Sequence, residues 1–233
     1  MNRFYVKICN VAMCIAMFFS ISTAVSAQPR DRNYIKQQIA NYGECRNVAI
    51  TKSNGDLMLY AKNGYATSGC PDDLVDALDK LNDDEELIDD VQLTENGRWL
   101  ILYGDNGFQW NNIPKDLEKA LREYNSDGEV VTSVSFNDAG DWIIITTEHF
   151  SASDSEITKW LKDGQKRYGQ IWTTCITDDA MVAVYENGYI CEGDVPKTLE
   201  KALKKTSIDV YRLKIAGNAW FMSDGKKDYD YNM

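Results

Sequence analysis

An α+β fold made of five βββα units of about 40 residues is what this sequence predicts, and three observations predict it. The stretch from Ile88 to Tyr124 reads as three short strands and a helix, and most of the remaining chain reads as incomplete copies of it. The equivalent positions Asp56, Trp99, Trp142, Met181 and Trp220 recur at intervals of 43, 43, 39 and 39 residues, a period typical of solenoids, propellers and similar arrays. Finally, a helix precedes all the strands at the N-terminal end, whereas the last unit has strands and no helix. The two ends therefore read as halves of one unit, which predicts a closed propeller-like ring with the N-terminal helix completing the C-terminal repeat. An open repeat array is the alternative, and it would want polar caps at its ends.

The defining unit can be justified element by element. Val91 and Leu93 alternate with polar residues as a first strand, and Glu95-Asn96-Gly97 supplies a turn. The run Trp99 to Tyr103 is apolar on both faces, which predicts the central strand of its sheet. Asp105-Asn106-Gly107 carries the Asn-Gly signature of a type I′ hairpin, and Phe108 and Trp110 alternate on a third strand. Pro114 then opens a helix whose Leu117, Ala120, Leu121 and Tyr124 share one face.

The other units follow in order. Residues 31–43 form a helix with Ile35, Ile39 and Tyr42 on the matching face, and the repeats run at roughly 44–86, 87–129, 130–169, 170–207 and 208–233. In the first repeat Asp56 replaces the tryptophan. In the third, Glu148-His149 replaces Asn-Gly, and Ser153-Asp154 caps the helix in place of proline. The fourth is shorter but intact, and the fifth ends after its strands.

The repeat, G-x-W-x-x-x-Y-G-x-N-G-F/Y followed by I-P-x-x-L-x-x-A-L, stands here as Gly97 to Phe108 with Ile113 to Leu121. It resembles a repeat of secreted bacterial proteins of no assigned activity. The resemblance implies a repeat fold and an envelope location and transfers no catalytic residues.

Arg3 and Lys7 precede an apolar run from Ile8 to Ile21, and Val25-Ser26-Ala27 supplies the small residues of a cleavage site. Residues 1–27 thus read as a signal peptide, which places residues 28–233 as one repeat domain, secreted or periplasmic and not an integral membrane protein. Removing the signal takes the net charge from −11 to −13, a balance that repels nucleic acid and anionic membrane surfaces. Cys45, Cys70, Cys175 and Cys191 remain in an oxidising compartment as disulfide candidates. Local pairing, Cys45 with Cys70 and Cys175 with Cys191, closes the shortest loops. If each sheet is a simple meander, however, a central strand separates the partners.

No catalytic frame stands out, and no cofactor or metal motif is expected. His149 is the sole histidine and falls in a turn, with no nucleophile motif around it. Asp56, Asp89, Asp90, Asp141 and Asp179 could supply a carboxylate pair, although acids at strand starts and turns usually cap or solvate. The strand-three aromatics Tyr65, Phe108, Trp110, Tyr189, Tyr229 and Tyr231 are the ligand-binding candidates, since outer strands leave one face free to meet sugar rings or peptide. The sequence therefore predicts a non-enzymatic binding module for a glycan or an extracellular protein. The alternatives are a carbohydrate-active hydrolase and an envelope scaffold or inhibitor.

Overall fold

A strand that is apolar on both faces needs cover on both sides, and the architecture supplies it five times over. A computed structural model of the chain describes residues 33–53 and 55–233; the signal segment and the first two residues of the predicted leading helix lie outside them. Helix α1 (Asn33–Tyr42) comes first, followed by a sheet of β1 (Asn47–Ile50), β2 (Asp56–Tyr60) and β3 (Gly64–Ser68), then α2 (Asp72–Asp83). The second unit is β4 (Ile88–Leu93), β5 (Trp99–Tyr103), β6 (Gly107–Asn111) and α3 (Lys115–Ser126). The third is β7 (Val131–Phe136), β8 (Trp142–Thr146), β9 (Phe150–Ala152) and α4 (Ser155–Tyr168). The fourth is β10 (Ile171–Ile176), β11 (Ala180–Tyr185), β12 (Gly188–Gly193) and α5 (Lys197–Leu203), and β13 (Arg212–Ala216), β14 (Ala219–Ser223) and β15 (Tyr229–Asn232) end the chain. Each set of three strands is an antiparallel meander with its second strand in the middle.

Alternate residues of each middle strand enter different cores. Trp99 and Ile101 pack with Leu57, Leu59 and the α2 leucines, while Leu100 and Leu102 on the other face pack with Leu117 and Leu121 of α3 and with Val134 and Trp142. Ile143 and Ile145 join α4 and Tyr185, and Val182 and Val184 join Leu199 of α5 and Trp220. A helix thus sits between each sheet and the next. The fifth cluster has the same make-up: Ile35 and Ile39 of α1 lie with Val48 and Met58 of the first sheet and Phe221 of the last. On the opposite edge the first strands meet, β1 with β4, β4 with β7, β7 with β10, β10 with β13 and β13 with β1.

Two local expectations are corrected. Asn-Gly does not form a type I′ corner. In the first two units the loop has three residues, with Ala61 and Gly104 taking the positive φ, and the glycine is the first paired residue of the outer strand. That glycine is needed for a different reason, since a Cβ on Gly107 would lie 2.5 Å from Cε2 of Tyr103, whose ring covers it, and Gly64 is covered in the same way by Tyr60. The asparagine is a clamp: Asn106 donates to the Glu129 carbonyl at 2.9 Å and accepts from the Val131 amide at 3.1 Å, tying the hairpin to the start of the next unit. Likewise Pro71, Pro114 and Pro196 occupy the N-cap position with extended ψ, one residue before the helical turn begins. A proline has no N–H to leave unsatisfied there, and its carbonyl accepts the first helical bond, as from Glu118 at 3.0 Å. Asp154 caps α4 as its sequence predicts, accepting from the amides of Glu156 and Ile157.

Candidate functional site

The first strand of every unit begins with the same irregularity. In β4 the pairing passes from Ile88–Tyr103 to Asp90–Leu102, so Asp89 is an extra, bulged residue; Thr132 and Trp172 are its equivalents in β7 and β10. Arg46 and Asn47 similarly share Leu59, and Tyr211 and Arg212 share Ser223. A bulge turns its side chain away from the regular pleat. The five bulged residues, Arg46, Asp89, Thr132, Trp172 and Tyr211, thereby come to one face, at the edge where the first strands meet.

The floor beneath this face is polar. Asp90 is 2 % exposed and takes three donors: Asn47 Nδ2 at 2.6 Å, Lys214 Nζ at 2.6 Å and Gln92 Nε2 at 2.9 Å. Burial alone would raise the Asp90 carboxyl, but the charges of Lys214 and Arg212 and the hydrogen bonds from Lys214 and Gln92 outweigh it and hold it below the usual carboxylate range. Burial also pulls the Lys214 ammonium down, against the pull of Asp90. Ser133 meets Thr173 at 3.2 Å and Ser135 meets Thr174 at 2.8 Å, so the third and fourth units are joined by hydroxyls where the second and fifth are joined by charge.

The face itself carries two guanidiniums anchored on main-chain carbonyls rather than on carboxylates. Arg46 donates through Nη2 to Ile88 O at 3.0 Å and Lys62 O at 3.3 Å. Arg212 donates to Asp89 O at 3.4 Å, Thr132 O at 3.3 Å and Tyr211 O at 2.8 Å. Burial lowers the Arg46 guanidinium and raises the Asp89 carboxyl beside it, the latter only partly offset by Arg212 and Arg46. Next to these charges the rings of Trp172 and Tyr211 lie 5.0 Å apart at 36°. Trp172 also lines a groove of about 310 Å3 with Glu186, Asn187, Tyr189, Ser207 and Asp209, a size at the lower end of small-ligand sites. Leu87, Val130 and Tyr211 are among the few large hydrophobic side chains left exposed, at 38, 41 and 40 %. All three stand at or immediately before the first-strand starts.

The opposite face is closed by its own turns. A cavity there touches all five units, from Ile50, Thr94, Asn137 and Thr177 to Lys214 and Ala216, but holds only about 60 Å3, room for a handful of waters. Its acidic rim is already engaged. Glu95 accepts from the backbone and hydroxyl of Ser53, Asp138 from Thr94 Oγ1 and Asn96 N, and Asp178 from the amides of Asp138 and Ala139. The turns of the first three units are thus each capped by a carboxylate of the next unit. Gly217 breaks that series, and Lys52 reaches from the first unit to pair with Asp179 of the fourth.

The residues that the sequence nominated fall elsewhere. Tyr65 donates to Asp79 of α2, and Tyr189 to Glu200 O of α5 at 3.3 Å. Phe108 and Trp110 stack at 5.2 Å beneath Arg122, whose guanidinium lies 4.8 Å from the Trp110 ring. Tyr229 and Tyr231 stack at 6.2 Å beside α1. These aromatics are half-buried against the helices of four different units, and the structure does not bring them together. His149 is 67 % exposed and pairs through Nδ1 with Glu129 at 2.9 Å. Among the acids, Asp56 and Asp90 are buried, Asp141 accepts from Asn137, and Asp179 holds Lys52. No disulfide joins Cys45, Cys70, Cys175 and Cys191 to one another. Cys175 and Cys191 both register on Val182, with β11 between them, while Cys45 and Cys70 lie in different cores. Burial pushes the Cys45 and Cys191 thiols up to about 12 and that of Cys175 to about 11, which leaves them poor nucleophiles.

Sequence reasoning missed Trp172, Tyr211, Arg46 and Arg212. One signal was present: Trp172 is a large aromatic at a position where other units carry Asp89 and Thr132. Comparison with protein-family models and with curated proteins finds no match for this chain. Among the described residues, no helix is long and apolar enough to cross a membrane, and no three metal-ligating side chains converge.

Proposed function

We propose that the protein is a secreted or periplasmic, non-enzymatic module that binds a glycan on the face formed by the bulged residues. One observation carries this reading: the partly exposed Trp172–Tyr211 pair stands at the rim of a polar, sugar-sized groove. Sugar rings present C–H faces that pack on aromatic rings and hydroxyls that need carboxylates and amides, and Glu186, Asn187 and Asp209 supply the latter. The signal-like character of residues 1–27 supports the location. We further propose that the five units close into a propeller-like ring, a reading supported by the contact of β13 with β1 and by the seating of α1 between the first and last sheets.

A thermal-shift and tryptophan-fluorescence titration of the purified protein against oligosaccharides tests the function. A saturable shift that disappears in Trp172→Ala, with an unchanged melt of the unliganded variant, is the expected result. No response to any saccharide, together with a stoichiometric protein captured from envelope extract, would replace the glycan by a protein partner.

A further inference from the structure

Resting on the glycan reading, the charges of the face define the kind of glycan. We propose that the ligand is a carboxylated oligosaccharide, with a uronate-type sugar over Arg46 and Arg212 and a neighbouring ring stacked on Trp172 and Tyr211. The chain as a whole is strongly acidic at −11, and its carboxylates would repel such a ligand unless a local cationic site opposed them. This face provides one. Arg46 and Arg212 are tethered by main-chain carbonyls, so their positive charge is held in place and only partly offset by Asp89, Glu44 and the buried Asp90. Guanidinium is suited to this task because its planar donors match the two oxygens of a carboxylate, and its charge persists at any relevant pH.

The geometry also separates two subsites. The guanidiniums lie where the first strands meet, and the groove beyond Trp172 carries Glu186 and Asp209, which would repel a second carboxylate but accept hydroxyl hydrogens. A ligand with one acidic sugar beside a neutral one fits better than a uniformly charged polymer.

The test compares three oligomers of equal length on the wild-type protein: one alternating uronate and neutral hexose, its methyl ester, and the all-neutral hexose. The alternating acid is expected to bind at least tenfold more tightly than its ester, the effect of a charge-assisted hydrogen bond, and Arg46→Gln, which leaves Arg212 in place, should narrow that ratio. Ester or neutral oligomer binding as tightly as the acid would overturn the carboxylate assignment and leave the glycan reading standing. Absence of binding by all three would overturn both.

Discussion

Removing the Lys214 charge is the most demanding perturbation of this architecture, because Lys214 and Asp90 join units that are not neighbours in sequence, across the place where the first strands meet. Both side chains are nearly inaccessible, at 7 and 2 %, and 2.6 Å apart. Lys214→Met leaves a buried carboxylate with two amide donors, no paired cation and only the unbonded charge of Arg212 nearby, and breaking a buried pair in this way costs about 3–5 kcal/mol. Asp90→Leu leaves the ammonium stranded at a similar cost. The double variant removes both charges, and apolar replacement of a whole buried pair is often neutral or better; here the Asn47 and Gln92 amides lose their acceptor at about 1–3 kcal/mol each. The double variant should therefore be no worse than either single one, a coupling of at least about 3 kcal/mol. Urea denaturation of all four proteins at pH 7 measures it. Single variants within about 1 kcal/mol of wild type, or strictly additive effects, would refute the reasoning. The pH dependence has a definite sign. The Asp90 carboxyl is held below its usual range, so its stabilisation is present above the unfolded-state value of about 3.9 and is lost as pH falls through the folded-state value. The deficit of Lys214→Met should thus be greatest near neutrality and shrink in acid, where Asp90 protonates.

Three further outcomes are expected. Gly107→Ala should cost about 1–3 kcal/mol by displacing the Tyr103 ring, and the penalty should fall when Tyr103 is also Ala; an additive double variant in urea denaturation would show that the ring is not the obstacle. Truncation after Ile208 removes β13 to β15 and the Phe221 contact of α1, and should abolish cooperative melting; an unchanged transition would sink the proposed ring closure. Asp89 is raised by burial, so its ionisation opposes folding: its stabilising effect is present below the unfolded-state value and lost as pH rises through the folded one. Asp89→Asn should therefore be at least as stable as wild type at pH 7, with the difference vanishing near pH 3, and a loss of stability at pH 7 would contradict this.

The repeat was legible in the sequence because its strongest signals are local: a doubly apolar strand such as Trp99 to Tyr103, a proline before the helix, and leucines at helical spacing. The meaning of Asn-Gly was not, because its two roles depend on residues that fold back on it, Tyr103 over the glycine and Glu129 and Val131 against the asparagine. The site was hidden for a related reason. Strand-three aromatics alternate as an exposed face does, but that alternate face meets a helix, as Tyr65 meets α2. A bulge leaves no mark on hydropathy, and the residues it gathers lie about 40 positions apart.

The composition of the bulged positions favours a functional origin over a structural one. In each unit the residue just before the bulge is a buried hydrophobic: Cys45, Ile88, Val131, Ile171 and Val210, all under 9 % exposed. That uniformity is what packing demands, since each occupies the same place in a different one of the five cores. One residue later the uniformity ends, and the side chains are Arg, Asp, Thr, Trp and Tyr. Their backbones hold equivalent places in the strand pairing, so the repeat itself does not dictate which side chain stands there. The repeat fixes where five side chains point and leaves their chemistry open, and here that chemistry is a cation, an acid, a hydroxyl and two aromatic rings around a charged floor. If this variety were mere surface drift, exchanging Trp172 and Tyr211 for Thr, the residue tolerated in the third unit, would leave both stability and ligand response untouched. Under the binding reading the same exchange preserves the melting transition and removes the saccharide response, and measuring both on one variant separates the two.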